Sequence, residues 1–325
     1  MKEFRFAVMG AGGIANRFCD AVELIDGCSV CAVASKSMER AADFAGRHRL
    51  PAAYDSYEKM LDEEKPDAVY IAVTTDSHHA LSMLCMEHNT PVLCEKAMFR
   101  TRAEAESVFA LSEANGIFSM EAMWSRFLPP VNKAKAWLAD GKIGKPVLAE
   151  MGIGFRAPQN ADNRYFSPAL GGGASYDVTV YAYEIMTYIM DLPVTSADIV
   201  SFSARAAVGT PVDATDIITL NFEGNIPAIL KSTLLTSPEE NLVISGTEGK
   251  ITVPHAHVGG EAFLYRNGRL TEHFIDTETK NGFTYEIEEV IRCVRAGRIE
   301  SDIAPHRMTR DFASLCDRIC EEMKD

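Results

Sequence analysis

Up to residue 121 the apolar positions fall into short unbroken runs separated by segments of helical spacing. Phe4–Met9 is the first run. It stops at Gly10, and from Gly13 onward Ile14, Phe18, Ala21 or Val22, and Ile25 recur at intervals of three to four. The run predicts a buried strand, and the recurrence predicts a helix with one face on a sheet. The same grammar continues with strands at Ser29–Ala34, Asp67–Val73, Pro91–Glu95 and Ile117–Met120. Helices are predicted at Ser77–His88 and at Thr101–Asn115, the latter ended by Gly116, whereas Tyr54–Met60 reads as a short connection. Such alternation predicts a parallel, doubly wound sheet that takes its ligands at the carboxyl ends of the strands.

Beyond residue 121 the pattern changes. A linking helix, Pro130–Leu138, closes at Asp140-Gly141, and strict alternation follows from Pro146 to Phe155, with Val147, Ala149, Met151, Ile153 and Phe155 on one face. One strong helix, Ala174–Met190, comes after a glycine triplet. Strands are then predicted at Asp216–Phe222, Ile226–Leu234, Asn241–Ser245, Ile251–Val253, Ala262–Arg266 and Leu270–Ile275. Gly224-Asn225, Thr247-Glu248-Gly249 and Asn267-Gly268 read as hairpin turns between them. Two helices, about Tyr285–Arg295 and Met308–Met323, close the chain. The expectation is an α/β protein: a Rossmann-type doubly wound domain over 1–121, then an α+β domain over 122–325 built on a large, mainly antiparallel open sheet. The closing helix is free to pack back on the first domain. An open sheet must be covered, so its outer face is expected to carry a homodimer or homotetramer contact.

Composition narrows the partners. The 325 residues suit one large or two ordinary domains, and a hydrophobic share of 47% is ample for a core. A net charge of −14 argues against nucleic acid or an anionic membrane as the main partner. No apolar run approaches the roughly 20 residues that span a bilayer. Ala7–Ala15 could pass for a short signal-peptide core, but Glu3 sits where a basic region would be and the glycines suit a turn better, so a cytoplasmic location is expected. The eight cysteines agree with a reducing compartment. Cys28-x-x-Cys31 runs into a strand rather than capping a helix, and packing explains it.

The candidate chemistry begins at the first turn. Gly10-x-Gly12-x-x-Ala15 sits between strand and helix, the arrangement of a dinucleotide fingerprint. Gly10 allows the tight turn, Gly12 lets the backbone approach a pyrophosphate, and Ala15 keeps the helix close to the strand. Gly13 and Ile14 open the helix whose N-terminus faces the phosphates. At the end of the second strand no ribose-binding carboxylate appears; Ser35, Lys36 and, one turn on, Arg40 stand there instead. A hydroxyl and two cations suit a 2′-phosphate, so NADP is favoured over NAD, with a solvated helix start as the plain alternative.

Three further clusters stand out. Thr74-Thr75-Asp76-Ser77-His78-His79 follows a strand end that faces the cofactor in such a sheet, although Ser77 also serves as a helix cap. Cys94-Glu95-Lys96-Ala97 ends the next strand, and a Glu-Lys pair there is expensive to bury unless partnered. Asn163 to Tyr181 contains Gly171-Gly172-Gly173 and then Asp177 and Tyr181, four apart and so on one helical face. That carboxylate and phenol are a candidate proton-handling pair; packing is the alternative for Tyr181. His255-x-His257 reads as a polar loop with no third ligand near, and His78-His79 with His88 lacks zinc spacing, so no metal is expected. There is neither a P-loop nor a nucleophile elbow.

These residues carry a resemblance. The opening fingerprint, Thr74–His79, Cys94-Glu95-Lys96 and Gly171–Tyr181 resemble the signatures of the Gfo/Idh/MocA oxidoreductases over essentially the whole chain. Met120-Glu121-Ala122-Met123-Trp124-Ser125-Arg126-Phe127 and Pro168-x-Leu170-Gly171-Gly172-Gly173 are most similar to the dihydrodiol dehydrogenase and D-xylose dehydrogenase branch. The resemblance implies NADP-linked hydride transfer to or from a sugar or cyclic vicinal diol, with substrate binding and dimerisation in the second domain. It implies a catalytic lysine at Lys96, a proton-transferring tyrosine at Tyr181 and an acidic partner at Asp177. Thr74, His79, Glu95, Trp124 and Arg126 are implied on the cofactor side, and Arg164 with Asp177 and Tyr181 on the substrate side. Non-enzymatic cofactor-binding regulators and NAD-dependent glycoside hydrolases share this fold and are the alternatives; retention of both Lys96 and Tyr181 speaks against the first. Four positions depart from the pattern: Asp76 for Asn, Ala97 for Pro, Ser175 for Leu and Thr179 for Gly.

Overall fold

A computed structural model describes residues 2–323; the outermost residues of the two predicted domains, Met1, Lys324 and Asp325, lie outside them. The described residues form two compact units, one reaching to Trp124 and including Lys280–Ala313, the other made of Ser125–Thr279 with the chain from Ser314.

In the first unit six strands, β1 (Phe4–Met9), β2 (Cys28–Ala34), β3 (Ala52–Tyr54), β4 (Ala68–Ile71), β5 (Val92–Glu95) and β6 (Ser119–Ala122), pair in the order β3-β2-β1-β4-β5-β6, all parallel. Strands buried on both faces need apolar runs, which is why the first domain is legible as runs. The helices between them are α1 (Gly13–Val22), α2 (Met38–His48), α3 (Tyr57–Glu64), α4 (His78–Glu87) and α5 (Arg102–Asn115). On α1 the buried positions are Ala15, Phe18, Cys19, Ala21 and Val22, while Ile14 is only half-buried. Phe18 lies flat on Tyr70 with ring centroids 3.9 Å apart and meets Phe6 edge-on at 5.3 Å. Burying such a ring contributes about 1.5–3 kcal/mol, which fixes α1 and its N-terminus on the sheet. The stretch expected as a connection, Tyr54–Met60, instead ends one strand and begins a helix. β3 is a three-residue, half-buried edge strand too short to show a period, and α3 buries only Met60 and Leu61 behind a Ser56 cap.

In the second unit α6 (Pro129–Ala139) leads into an eight-stranded sheet. Its strands are β7 (Pro146–Gly154), β8 (Val194–Ser203), β9 (Asp213–Phe222), β10 (Ile226–Thr233), β11 (Asn241–Gly246), β12 (Gly249–Pro254), β13 (Glu261–Arg266) and β14 (Arg269–Ile275), in the order β14-β13-β12-β11-β7-β10-β9-β8. Only β7 and β10 run parallel. Asn267 and Gly268 both take positive φ, as the predicted tight hairpin requires. β8 has no counterpart among the predicted strands. Of its ten residues only Ile199 is buried, and Val200 and Phe202 are each 52% exposed, so it carries no core-facing alternation. Val147, expected on the buried face of β7, is exposed at the strand's start.

The helix predicted as one regular piece from Ala174 is interrupted. Ser175–Thr179 is π-helical, and α7 (Val180–Met190) continues from it. A short helix α8 (Arg205–Val208) follows β8. α9 (Phe283–Arg295) belongs to the first unit, and the boundary falls within α10 (His306–Glu322). No helix of the described residues is long and apolar enough to cross a membrane.

Candidate active site

The site is built first around the end of β1. Gly10 N donates to Ala34 O at 2.8 Å and Ala72 N donates to Met9 O at 2.8 Å, so β1 ends clamped between β2 and β4, where the strand order reverses. Such a switch point leaves a crevice for a ligand. Gly10 has φ +109, and a Cβ on it would overlap the Ala72 carbonyl oxygen. At Gly13 a Cβ would meet nothing within 4 Å. The N-terminus of α1 receives no side-chain cap and has no acidic residue in its first turn. Unopposed N–H groups beside an open backbone fit a pyrophosphate. Ala15 is fully buried against the sheet, as the fingerprint requires.

Ser35 follows β2 in a buried position, and its hydroxyl accepts from Ser37 N at 3.5 Å. Ser37 caps α2 by accepting from Arg40 N. Lys36 and Arg40 are exposed, and among the described residues neither pairs with a carboxylate. Two cations without a protein anion beside the second strand are available to a phosphate.

At the ends of β4 and β5 the structure separates neighbours that look alike in sequence. Ser77, a candidate cap, makes no capping bond; its hydroxyl donates to Asp76 Oδ2 at 3.0 Å. His79 lies with Nε2 2.8 Å from the Ser107 hydroxyl, which itself donates to Glu104 O. The imidazole is therefore the donor in that pair. His78 is buried, with Nδ1 3.0 Å from Ala97 O and Nε2 3.2 Å from Val73 O. Burial lowers its pKa, so the ring is neutral and one nitrogen donates at a time. His78 thus ties the loop after β4 to the loop after β5. Nothing in its sequence context marks it above His79.

The Lys96 segment is pinned from several sides. Glu95 accepts from the Tyr70 hydroxyl, and Lys96 N lies 3.3 Å from Glu95 Oε2. Met98 N donates to Glu121 Oε1 at 2.9 Å, and Glu121 Oε2 accepts from Thr309 at 2.6 Å. The Lys96–Ala97 peptide is cis. Glu95, expected on the cofactor side, turns its carboxyl into the interior, where burial pushes its pKa above the usual carboxylate range. Glu286, on α9, is fully buried, and neither of its oxygens is hydrogen-bonded among the described residues; burial first, and the Glu95 charge second, raise its pKa well above the ordinary carboxylate value. Trp124 stacks on Phe283 at 5.3 Å, and the Arg17 guanidinium lies over both rings.

In the second unit Arg126, also expected near the cofactor, has its guanidinium 2.5 Å from Glu184 Oε2 and 3.2 Å from the Thr187 hydroxyl, in a buried pair. Asp177 pairs with Arg164 at 3.3 Å. The π-helical turn beneath them rests on buried acids. Asp213 accepts from Ser175 N at 2.5 Å and from its hydroxyl at 3.2 Å. Asp216 accepts from Thr179 at 2.6 Å and from Ser201 at 2.7 Å. A Cβ on Gly173, at φ +140, would overlap Asp213 Oδ1. Burial raises both carboxyl pKa values, that of Asp216 well above the ordinary range with the neighbouring Asp213 charge as the second cause. Asp177 and Tyr181 therefore sit on a widened turn followed by α-helix, not on one regular helical face. Tyr181 is half-buried with its ring 5.3 Å from that of His257. Among the described residues no group of three His, Cys, Asp or Glu side chains could hold a metal ion.

Residues 4–122 match the family model described as "Oxidoreductase family, NAD-binding Rossmann fold", and residues 131–252 match the GFO/IDH/MocA C-terminal domain. The chain is 30% identical over 329 residues to trans-1,2-dihydrobenzene-1,2-diol dehydrogenase of Danio rerio, covering 96% of this chain and 95% of the relative. It is 29% identical over 305 residues to scyllo-inositol 2-dehydrogenase (NADP(+)) IolU of Bacillus subtilis, covering 92% and 90%. Aldose-aldose oxidoreductase from Caulobacter crescentus has a similar fold, with a TM-score of 0.90 at 19% identity over 99% of this chain and 98% of that one.

Proposed function

This chain belongs to the GFO/IDH/MocA oxidoreductase family and is an NAD(P)-dependent oxidoreductase; from that premise we propose that it moves a hydride between NADP(H) and a carbinol of a sugar or cyclic vicinal diol. The reading is carried by the Lys96 segment, held at the carboxyl end of β5 by Glu95, His78 and Glu121. A surface lysine would have no need of three buried side chains fixing its backbone. NADP rather than NAD is supported by Lys36 and Arg40, cations with no carboxylate partner among the described residues, and by a sequence with no acid at the end of β2.

In this reading the Gly10–Ala15 turn holds the pyrophosphate, and Ser35, Lys36 and Arg40 hold the 2′-phosphate. Thr74, His79 and Trp124 line the nicotinamide half. Glu95 and Arg126 act from within the protein, by holding Lys96 and α7. Bound NADP(H) supplies the hydride acceptor or donor. The remaining task is a proton. A free phenol, with a pKa near 10, is a poor base at neutral pH, and an ammonium favours its phenolate. Tyr181 is assigned the general acid/base role, with Lys96 as the cation that tunes it and polarises the substrate oxygen. Asp177 and Arg164, already paired, orient a substrate hydroxyl. Val200 and Ile217 face each other across β8 and β9, and Phe202 lies on the same side, which supports a homodimer through the outer sheet face. The eight cysteines of the sequence suit a reducing compartment and support a cytoplasmic location.

A sugar and diol panel read at the nicotinamide absorbance tests the activity. Tyr181→Phe should lower turnover by roughly 10²–10⁴-fold while NADP still binds. Retention of more than about a tenth of wild-type turnover, with chemistry rate-limiting, would make Tyr181 a packing residue.

A further inference from the structure

Glu240 and His257 stand 17 residues apart in sequence and meet at the end of the β11–β12 hairpin. The ladder begins at Asn241↔Pro254, and one rung further His255 N donates to Glu240 O at 2.9 Å. The chain then turns back on itself. His255 has φ +47, the N–H of Val258 and of Gly259 both return to His255 O, and a Cβ on Gly259 would overlap Pro254 O. This tight loop delivers His257 Nδ1 to Glu240 Oε1 in a hydrogen bond, with the Glu240 side chain 11% exposed. The same loop lays the His257 ring beside Tyr181, centroids 5.3 Å apart and planes at 51°. His255, the other member of the pair, is 65% exposed and lies 3.6 Å from Glu240 Oε2.

A carboxylate accepts only, so Nδ1 of His257 donates to it; in the neutral ring that contact fixes, Nε2 then presents a lone pair. Among the described residues Nε2 makes no hydrogen bond. His257 is therefore more than the polar loop residue its sequence suggests. An acceptor of fixed tautomer beside a phenol matches two adjacent oxygens on a substrate: one meets the phenol, and the hydroxyl on the next carbon donates to the imidazole. We propose that His257, its tautomer held by Glu240, accepts a hydrogen bond from the hydroxyl neighbouring the reacting carbinol and so selects vicinal diols over simple alcohols. Glu240 is a positioning residue in this scheme. The proposal rests on the assignment of Tyr181 as the acid/base.

The test uses the full chain with NADP⁺ and two matched probes, trans-cyclohexane-1,2-diol and cyclohexanol. Wild-type protein should prefer the diol. His257→Phe keeps a ring against Tyr181 but removes the acceptor, and should lower kcat/KM about tenfold more for the diol than for cyclohexanol. Glu240→Gln should raise KM for the diol more than it lowers kcat, because the ring remains and only its tautomer is released. Calorimetry of diol binding to NADP⁺-loaded protein should show the same loss without turnover. Equal losses on both probes, or an unchanged diol preference in both variants, would overturn the proposal. Should the phenylalanine variant not fold, Glu240→Gln and calorimetry decide the question by the same criteria. Tyr181→Phe run in parallel should lose turnover on both probes yet still bind the diol. If it turns over at the wild-type rate, the acid/base assignment fails; wild-type protein that neither binds nor turns over the diol removes the proposal with its premise.

Discussion

The Thr179 hydroxyl donates to the Asp216 carboxyl across 2.6 Å, and both groups are fully buried. Ser232 in turn lies 2.6 Å from Thr179, and Ser175 binds Asp213 through both its N–H and its hydroxyl. Ser175 and Thr179, two of the four positions expected to depart from the family's pattern, thus serve one acid pair. A leucine and a glycine at those positions would leave an acid pair in the interior short of donors. The polar pair and the acid pair stand or fall together, and they hold the turn that carries Asp177 into α7.

The first prediction concerns that network. Asp216→Ala removes the acceptor of both the Thr179 and Ser201 hydroxyls, leaving Thr179 with Ser232, and should cost about 1–3 kcal/mol in denaturant unfolding. Asp216→Asn, which keeps a donor toward Asp213 and one acceptor, should cost less. Equal stability of the two variants would show that the hydrogen bonds contribute nothing.

Glu286 gives a pH signature. Its folded-state pKa is raised well above the unfolded value by burial and by Glu95, so its neutral form is the one that suits the fold. The resulting stability is fully present below the unfolded pKa, near 4.3, and is lost as pH rises toward the folded value. Glu286→Leu removes an unbonded buried carboxyl, and should flatten that decline and raise the unfolding midpoint at neutral pH. A variant whose midpoint falls with pH as steeply as the wild type's would contradict this.

Lys36→Ala should weaken NADP binding by about ten- to a hundredfold, the size of a charge-assisted phosphate contact, and NAD binding far less. Titration of nucleotide fluorescence or calorimetry measures both constants. An equal loss for the two nucleotides would remove Lys36 from the 2′-phosphate.

The outer face of the second sheet offers Val200, Phe202 and Ile217 on one side of β8 and β9. If that face joins two copies, Phe202→Glu should reduce the mass seen by light scattering to that of one chain. Unchanged mass in the variant would place any self-association elsewhere.

What the sequence by itself determined is local. Phe4–Met9 breaking at Gly10 required a strand, a tight turn and a helix, and the structure has them at Phe4–Met9 and Gly13–Val22. Buried parallel strands were legible because burial on both faces demands a run, and Asn267-Gly268 because a two-residue hairpin needs positive φ at both positions. Tertiary structure decided what no window of the chain contains. β8 exists because its backbone pairs with β9, not because its side chains alternate. The predicted α-helix opens into a π-turn at Ser175–Thr179, where Asp213 and Asp216 take up Ser175 and Thr179. His78 and His79 are adjacent residues of one type, yet one is buried between two carbonyls while the other reaches a serine hydroxyl. Glu240 meets His257 only because the β11–β12 register ends where it does, and a slip of one rung would part them. Period and turn chemistry are properties of neighbours along the chain, whereas a hydrogen bond between distant side chains depends on register and burial, which only the folded chain sets.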